Sequence, residues 1–439
     1  MKPAASPARR GFRCLTALYL LLFAGSAARG AQPSQPPPTI EQLFGLPEVR
    51  QPRLSPDGKK IAFLFPHERR LALGVFDRAS GASRMVLKGE DESLVSFFWK
   101  GNDRLVFLAD VGGNESFFIG SSDLNGRSVL RLAESQRIED NLVGNVANIL
   151  DELPGDPQRI LVAGYFAENI DHAMFLGGAA VVARLNVFNR ARSPVLEFKE
   201  SDRNVLLLGD NLGALRVRGR LVGREVIWEH RPDDGATFRE IARHPFHGYQ
   251  EDWQPLAFAS DNRTLWLISR QKHDRGALHA YNTATGSLGE PLFTPAEGEL
   301  EDSLVTTPDR TRLLGVAYET VRRRYHWFDA DRAALQTKLE NTFAGSDVRI
   351  TSESQDQTVK LIWVGHDREP GTYFVLDEKA GALTLFKRMR RIDPAELQPR
   401  RPVSYRARDG LLIHGYLTLP PNAAGRRVPL IVHPHGGPF

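Results

Sequence analysis

The stretch that decides the fold is "SPDGKKIAFLF", residues 55–65. A tight polar turn precedes two basic residues and then a run of apolar residues at strand period. Six further segments repeat this order: "KGNDRLVFLA", "PGDPQRILVAG", "GDNLGALRVRG", "ASDNRTLWLIS", "TPDRTRLLGVA" and "SQDQTVKLIWV". The chain is therefore built from repeats, each with a turn followed by a strand.

The spacing of the repeats predicts their architecture. The first apolar residues of the seven strands, here called the anchor residues, are Ile61, Leu105, Ile160, Leu215, Leu265, Leu313 and Leu361, which lie 44, 55, 55, 50, 48 and 48 residues apart. A period of about 40 to 50 residues leaves room for four short strands, as in a β-propeller blade. We predict an all-β propeller of about seven blades over residues 48–396. A pair of β-sandwiches with similar turns is the alternative.

Hairpins between the anchor residues support the propeller. The segments "LGVFDRASGASRMVL", "LHAYNTATGSLGEPL" and "YFVLDEKAGALTLF" share one pattern, in which a strand, a polar residue and a short turn with glycine precede another strand. Strands of a sandwich have no reason to recur at this spacing.

The first 30 residues have the pattern of a secretory signal peptide. Basic residues precede an apolar run over residues 14–24, which is too short to span a bilayer, and small residues follow it. We predict cleavage before Ala31 and a secreted or periplasmic mature chain with no membrane association; a retained anchor is the alternative. Residues 31–47 are predicted to form a proline-rich tether and a short helix. The single cysteine, Cys14, lies in the signal peptide, so the mature chain would hold no disulfide.

Composition favours a large folded protein without a nucleic-acid partner. Hydrophobic residues make up 41% of the 439 residues, and the net charge of +4 is small for this length. The basic clusters at residues 322–324 and 387–391 have interleaved acidic neighbours and no nucleic-acid-binding motif around them. We interpret both as solvated loops or strand ends. The sequence does not indicate an oligomeric state.

The pattern changes near Leu397, where we place a domain boundary. The segment "RIDPAELQPRRPVSY" carries three prolines, and "VSYRARDGLLIHGYLTLP" is typical of two strands joined by a tight turn at Asp409 and Gly410. A short apolar strand is predicted over residues 428–432. Residues 397–439 would then be the incomplete start of a second domain of a different class.

A glycine-rich loop follows that third predicted strand. His435, Gly436, Gly437 and Pro438 occupy the position at which an α/β-hydrolase places a loop after its third strand, and such a loop donates a backbone N–H to the oxyanion hole. A glycine-rich turn with a surface histidine is the alternative. A metal site at His433 and His435 is disfavoured because no carboxylate or cysteine lies near them at a ligand spacing.

These segments together resemble one family. The opening repeat "LSPDGKKIAF", the strand pair "PVSYRARDGLLIHGYLTLP" and the ending "PLIVHPHGGPF" look like the prolyl oligopeptidase family of serine peptidases, in its acylaminoacyl peptidase and dipeptidyl aminopeptidase-like branch. The resemblance implies a propeller that restricts access to a cavity. It also implies an α/β-hydrolase domain that cleaves oligopeptides with a Ser-Asp-His triad and without a cofactor. It assigns the oxyanion hole to His435, Gly436 and Gly437.

The sequence departs from that family at the nucleophile. No G-x-S-x-G elbow occurs in the 439 residues. Ser121 and Ser122 in "FFIGSSDLNG" come nearest, and we interpret them as part of a turn in the second blade. We therefore assign no residue of the triad, expect the chain to be truncated before its nucleophile, and predict that it is inactive alone.

Two other functions stay open on the sequence alone. A secreted propeller could bind a peptide or a glycan without catalysis. A sugar-processing propeller would use acidic residues near its channel, for which the candidates are Glu251, Asp252, Glu299, Glu301 and Asp302. The second idea leaves the glycine-rich ending unexplained.

Overall fold

The computed structural model of the protein is dominated by β-sheet. It describes residues 37–112, 116–138, 141–144, 146–165, 180–198, 204–247, 252–271, 275–421, 423 and 425–434. The predicted signal peptide and most of the proline-rich tether lie outside the described residues. The predicted short helix is present as α1 (Ile40–Phe44), and the Thr39 side chain caps its amino terminus.

Seven antiparallel sheets follow one another along the chain, and each sheet is one blade of a propeller. The strands of blades 1 to 4 are listed in chain order. Blade 1 contains β1 (Arg50–Leu54), β2 (Lys60–His67), β3 (Arg70–Asp77) and β4 (Ser83–Leu87). Blade 2 contains β5 (Glu92–Lys100), β6 (Arg104–Val111), β7 (Ser116–Asp123), β8 (Leu130–Ile138) and β9 (Asn141–Gly144). Blade 3 contains β10 (Val146–Asp151), β11 (Arg159–Tyr165), β12 (Ala180–Asn186) and β13 (Arg192–Phe198). Blade 4 contains β14 (Asn204–Gly209), β15 (Leu215–Val222), β16 (Glu225–His230) and β17 (Arg239–Pro245).

Blades 5 to 7 complete the ring and precede a separate hairpin. Blade 5 contains β18 (Trp253–Phe258), β19 (Thr264–Ser269), β20 (Ala277–Asn282) and β21 (Ser287–Leu288). Blade 6 contains β22 (Glu299–Thr306), β23 (Leu313–Glu319) and β24 (Arg323–Trp327), which helix α2 (Ala330–Thr342) follows. Blade 7 contains β25 (Asp347–Glu353), β26 (Val359–His366), β27 (Glu369–Asp377) and β28 (Ala382–Arg388). The hairpin consists of β29 (Arg400–Arg406) and β30 (Leu412–Thr418).

The repeat predicted from the sequence is confirmed. Each anchor residue lies in the second strand of its own blade, and six of the seven have no solvent exposure. Leu313 is the exception, because it is partly buried while its neighbour Leu314 fills the core. The three predicted hairpins join the third and fourth strands of blades 1, 5 and 7. Burial of the mainly apolar second strands between adjacent blades explains the apolar runs, although β15 alternates apolar residues with arginines.

Strand order gives the ring two distinct faces. The first strand of each blade is innermost, since β1 contacts both β5 and β25, and the first strands of blades 3 to 6 contact one another in turn. In a four-stranded antiparallel blade, the first strand begins and the fourth ends at the same face. We call this the proximal face, because the hairpin of β29 and β30 follows β28 there. The turns of the "SPDGKK" type lie on the opposite, distal face.

Blade 6 differs from the predicted four-stranded pattern. Helix α2 takes the place after β24 at which the other blades have a fourth strand. Its Arg332 is buried and forms a bidentate ion pair with Glu353 at 2.6 and 2.8 Å, and Gln336 donates to the carbonyl of Val348 at 3.0 Å. These polar groups fix the helix to β25 of the next blade. Leu335, Leu339 and Phe343, spaced four residues apart, also pack into the apolar core of blade 7, but this stripe is too narrow to have predicted the helix.

Blades 1 and 7 close the ring without sharing a strand. Their contact buries one apolar cluster, whose members are Leu54, Ile61, Val359, Leu361 and Val375. Hydrogen bonds reinforce it, because the Leu54 amide donates to the Ser352 hydroxyl at 2.9 Å and Arg78 pairs with Asp377 at 2.8 Å. Gly58 has a φ of 68°, and a Cβ there would lie 3.0 Å from Ser354. Only glycine suits this turn at the closure.

The hairpin confirms two predicted strands, but the third predicted strand was wrong. The strands β29 and β30 pair from Arg400 with Thr418 to Arg406 with Leu412, and Gly410 in the turn has a φ of 89°. Residues 428–432 form no strand, and Leu430, Ile431 and Val432 are 76%, 89% and 77% exposed. An apolar segment becomes a strand only when a sheet edge pairs with it, and the described residues supply none there.

Ring closure gives the first prediction. Leu361→Ala should lower the free energy of unfolding by about 2–5 kcal/mol, because it leaves a cavity between the first and last blades. Chemical denaturation monitored by circular dichroism measures the loss. Leu212→Ala, at a 76% exposed site, is the control and should change the value by no more than about 0.5 kcal/mol. Equal effects of the two changes would contradict the closure described here.

The distal turns repeat one hydrogen-bonded unit in blades 1, 6 and 7. Ser55, Thr307 and Ser354 are buried, and each hydroxyl donates to the aspartate two residues later. Each hydroxyl also accepts a backbone N–H five residues later. The motif "[ST]-x-D" therefore fixes the turn that leads into the second strand.

The carboxylates of these turns make the stability of the fold depend on pH in the acidic range. Hydrogen bonds from Lys379, Ser354 and Thr358 hold the pKa of Asp356 well below its usual range. Burial alone would raise the pKa of Asp309, but hydrogen bonds from Thr307 and Thr311 outweigh it and lower the value. A lowered folded-state pKa contributes stability that is present above the unfolded value near 4 and is lost as pH falls through the folded value.

Acid denaturation gives the second prediction. The melting temperature should fall as pH is lowered from about 4 to 2, because protonation removes the turn hydrogen bonds. In Asp356→Asn this fall should be smaller, since one of the responsible carboxylates is gone. Asp331→Asn, which removes an exposed carboxylate at the start of α2, is the control and should keep the original pH profile. Scanning calorimetry between about pH 4 and 2 measures the melting temperatures of the three proteins.

Candidate functional site

The hairpin of β29 and β30 lies against the proximal face near blades 6 and 7. The Tyr416 hydroxyl donates to the Val321 carbonyl at 2.7 Å, and the Arg400 amide donates to Asp367 at 2.7 Å. The Arg400 guanidinium lies 4.5 Å from the centre of the Tyr416 ring. These contacts position a crevice between the ring and the segment that follows it.

Two cavities open in this crevice. The larger, of about 500 Å³, lies between the hairpin and loops of blades 5 and 6, including Glu297, Val321, Pro402 and Tyr416. The second, of about 400 Å³, shares Val321, Pro402 and Tyr416 and extends to Trp363 of blade 7. Both volumes suit a few amino-acid side chains or a short peptide.

A third cavity, of about 260 Å³, lies between blades 6 and 7 on the same face. Its lining includes the consecutive Arg322, Arg323 and Arg324, together with Arg349 on the innermost strand β25. The acidic residues of the lining are Glu340 and Asp347. Four guanidinium groups against two carboxylates give this cavity an excess of positive charge, which favours an anionic group.

Aromatic rings surround the guanidinium of Arg349. It lies 4.7 Å from the centre of the Trp363 ring. Burial raises the pKa of Tyr373 to about 12, and the charge of Arg349 partly opposes this rise. Burial also raises the pKa of Tyr325, again against the charges of Arg323 and Arg349. Both tyrosines therefore carry neutral hydroxyl groups near neutral pH.

Ion pairs cross the central channel at its distal mouth. Arg310, in the turn after β22 of blade 6, contacts both carboxylate oxygens of Asp151 in blade 3 at 2.8 and 2.6 Å. Arg53 of blade 1 pairs with Glu152 at 3.2 Å. Blades 3 and 6 lie three positions apart in a ring of seven, so the first pair spans the channel. It obstructs this mouth.

A buried lysine fixes the acidic side of that mouth. The Lys100 ammonium donates to the carbonyls of Glu152, Leu153 and Asp156 at 2.5, 2.9 and 2.6 Å. Burial lowers the pKa of Lys100 to about 8, while Asp156 and Glu152 oppose this shift. The loop that carries Asp151 and Glu152 is thereby tied to blade 2, and this contact orients both carboxylates.

The predicted oxyanion-hole residues are not among those that the structure describes. His435, Gly436 and Gly437 lie outside the described residues, so their role stays a prediction. His433, the last histidine before them, is exposed and lies in irregular structure.

The interpretation of Ser121 and Ser122 as a turn was wrong. Both lie in β7 and have no solvent exposure. The Ser121 hydroxyl donates to the Val187 carbonyl at 2.5 Å and accepts from Arg104 at 3.0 Å. Small side chains are needed here because blades 2 and 3 approach closely. The turn begins only at Asp123, whose carboxylate accepts from the amides of Asn125 and Arg127.

Three of the five acidic residues considered for sugar chemistry are engaged in other contacts, and Asp302 is exposed. Glu299 pairs with Arg270 at 3.0 Å, and Glu301 pairs with Arg323 at 2.5 Å. Asp252 contacts His247 at 3.4 Å. Glu251 lies outside the described residues. A glycosidase needs two carboxyl groups free to act on one bond, and the ion pairs of Glu299 and Glu301 do not support that use.

Sequence reasoning missed the residues that shape both ends of the channel. The cluster at residues 322–324 was predicted as a strand end, and Arg323 does begin β24, but Arg323 is also half-buried and lines a cavity. The residues next to Arg349 and Arg310 in the sequence form no motif that would have indicated a functional role. Their importance arises from residues far along the chain, since Arg310 and Asp151 are 159 positions apart.

Comparisons with known proteins agree with this architecture. No protein-family model matches the chain. It is 25% identical over 429 residues to dipeptidyl aminopeptidase BIII of Pseudoxanthomonas mexicana, covering 91% of this chain and 56% of that protein. It is 23% identical over 397 residues to dipeptidyl peptidase family member 6 of Caenorhabditis elegans, covering 87% and 51%. The chain therefore spans about half the length of the curated relatives it matches.

Solved structures show the same fold at low sequence identity. A prolyl endopeptidase structure superposes with a TM-score of 0.57 at 12% identity, covering 86% of this chain and 55% of that chain. Prolyl oligopeptidase B from Galerina marginata gives 0.53 at 10% identity, covering 84% and 55%. Puromycin hydrolase gives 0.51 at 16% identity, covering 87% and 60%.

The fold is a seven-bladed β-propeller, and it superposes on the propeller of a prolyl endopeptidase structure. Both curated relatives are named as peptidases, and the superposed structures include a prolyl oligopeptidase. The chain is thus similar to peptidases of the prolyl oligopeptidase type, the family that its sequence motifs resemble.

The distal ion pair gives the third prediction. A double-mutant cycle with Arg310→Gln and Asp151→Asn should yield a coupling energy of about 1 kcal/mol, because a single guanidinium nitrogen contacts both carboxylate oxygens and the pair is only partly shielded from water. Denaturant unfolding of the four proteins measures it, and the coupling should shrink at high salt. Additive single changes at low salt would show that the two side chains do not interact across the channel.

Proposed function

We propose that this chain is the access-controlling propeller of a serine peptidase that hydrolyses short peptides. The observation that carries the proposal is the ring itself, with one channel mouth crossed by Arg310 and Asp151 and the other facing a peptide-sized crevice. Its two curated relatives, which match 91% and 87% of this chain, are named as peptidases. A ring of this kind admits a flexible peptide and excludes a folded protein by size.

Catalysis is assigned to a hydrolase domain that continues from residues 400–439. In this proposal a serine on a G-x-S-x-G elbow beyond Phe439 attacks the peptide carbonyl. A histidine accepts the serine proton and passes it to the leaving amine, while an aspartate orients that histidine. The loop of His435, Gly436 and Gly437 would hold the oxyanion by backbone N–H groups. One such donor contributes about 3 kcal/mol to the stability of the transition state.

The exposed hairpin is consistent with this continuation. Every residue of β29 is exposed, and Tyr405, Leu412 and Tyr416 present 60%, 45% and 47% of their surface. Apolar surface of this kind is normally covered in a folded protein. A hydrolase domain packed on the hairpin would cover it and place its nucleophile near the crevice.

The proposal includes export from the cytoplasm, to the periplasm or the medium. It depends on the signal-peptide pattern of residues 1–30. Amino-terminal sequencing of the mature protein should read from Ala31, whereas a mature chain that retains Met1 would contradict export by cleavage.

Activity measurements give the fourth prediction. The 439-residue chain should not hydrolyse dipeptidyl or aminoacyl chromogenic substrates, because it carries no nucleophile elbow. The coding DNA beyond codon 439 should encode a G-x-S-x-G elbow followed by the aspartate and the histidine. The chain extended through these residues should hydrolyse short peptides but not a folded protein, and serine-to-alanine at the elbow should abolish turnover.

Two results would contradict this proposal. Turnover by the purified 439-residue chain would place the active site elsewhere. A coding sequence that stops after Phe439, with no elbow in any frame beyond it, would favour a propeller that binds a peptide or a glycan without catalysis.

A further inference from the structure

The arginine-lined cavity between blades 6 and 7 has an unequal distribution of ion pairs. Arg322 contacts Asp347 at 3.7 Å and donates to the Gly345 carbonyl at 3.1 Å. Arg323 pairs with Glu301 at 2.5 Å. Arg324 is exposed to solvent. Three of the four cationic side chains are therefore either neutralised or hydrated.

Arg349 is the exception. Within the described part of the chain, its half-buried side chain has neither an ion pair nor a hydrogen bond, and its Nε lies buried without a partner. The Nε of Arg323, in the same cavity, is also buried without a partner. Leaving guanidinium donors unsatisfied is costly, so such groups are normally satisfied by ordered water or by a ligand when the protein itself does not satisfy them.

The contact with Trp363 orients the free donors. Arg349 and Trp363 are directly opposite each other in the pairing of β25 with β26, and the guanidinium lies 4.7 Å from the ring centre. Contact with an aromatic ring engages the face of the planar guanidinium and leaves the N–H groups at its edge available. A carboxylate matches that edge, because two oxygens can accept two parallel N–H bonds.

The position of Arg349 connects it to the crevice. Its side chain lines both the 260 Å³ cavity and the 400 Å³ cavity that reaches the hairpin at Pro402 and Tyr416. It also belongs to the innermost strand of its blade, beside the central channel. A peptide held in the crevice could therefore extend one end toward Arg349 without leaving the ring.

We propose that Arg349 binds a carboxylate of the peptide that occupies this crevice, with the α-carboxylate of its carboxyl terminus as the expected source. This inference rests on the proposed function for the nature of the ligand. It adds a substrate class, namely short peptides with a free carboxyl terminus. A long peptide would bring an uncharged backbone to the same place and would lose this interaction.

The test measures binding to the 439-residue chain, so that no catalysis is involved. Isothermal titration at low salt compares N-acetyl-trialanine as the free acid with the same peptide as its carboxyl-terminal amide. The free acid should bind about tenfold more tightly, as expected for one charge-assisted bidentate contact. N-acetyl-Ala-Glu-Ala amide tests an acidic side chain as the source of the carboxylate.

Matched variants assign the preference to Arg349. In Arg349→Gln the free acid and the amide should bind with equal affinity, while Arg349→Lys should keep part of the preference because it retains charge without the planar fork. Arg239→Gln removes the same charge from an exposed site on β17 and should keep the full tenfold preference. Thermal denaturation of each variant verifies that it is folded.

The outcomes are separable from those of the peptidase proposal. Equal binding of acid and amide by the unmodified chain, with no gain for the glutamate peptide, would overturn the inference whatever the variants do. A preference that survives in Arg349→Gln would also overturn it. Tight binding of the glutamate peptide alone would retain the carboxylate contact and assign it to a side chain. An Arg349-dependent preference without hydrolysis by the extended chain would leave the inference standing and refute the peptidase proposal.

Discussion

Closure of the ring between blades 1 and 7 is the constraint on which the remaining structure depends. Every blade is built from consecutive strands, so no strand is exchanged to lock the ring. The joint therefore consists of side-chain packing around Leu54 and Leu361, the Arg78–Asp377 pair and hydrogen bonds between the distal turns. If this joint opens, the innermost strands no longer face a common axis. Arg310 of blade 6 could then no longer reach Asp151 of blade 3.

The two faces of the ring have different chemistry because of strand direction. The distal face carries the repeated turns, whose aspartates accept local hydrogen bonds, and its channel mouth is crossed by ion pairs. The proximal face receives both ends of the ring and the hairpin, and its cavities combine aromatic surface with guanidinium groups. A ligand therefore meets internally hydrogen-bonded turns at one end and open cavities at the other.

The repeated part of this architecture was predictable from the sequence, and the exceptions were not. The anchor residues identified the seven second strands because burial between neighbouring blades demands an apolar run after each turn. Helix α2 was not predicted, since it packs partly through the polar Arg332 and Gln336 and its apolar stripe is only the narrow line of Leu335, Leu339 and Phe343. Residues 428–432 looked like a strand, but strand formation depends on a partner edge. Arg349 is functional only through residues brought near it by the ring, which no local pattern encodes.

The consecutive order of the blades also has a consequence for biosynthesis. Each blade can acquire its hydrogen bonds as soon as its own 40 to 55 residues have left the ribosome, because it needs no later segment to complete its sheet. The contact between Leu54 and Ser352, by contrast, joins residues 298 positions apart. Blade 1 therefore waits with one apolar side uncovered until nearly all of the propeller has been translated. During that interval the nascent chain would need protection from association with its neighbours.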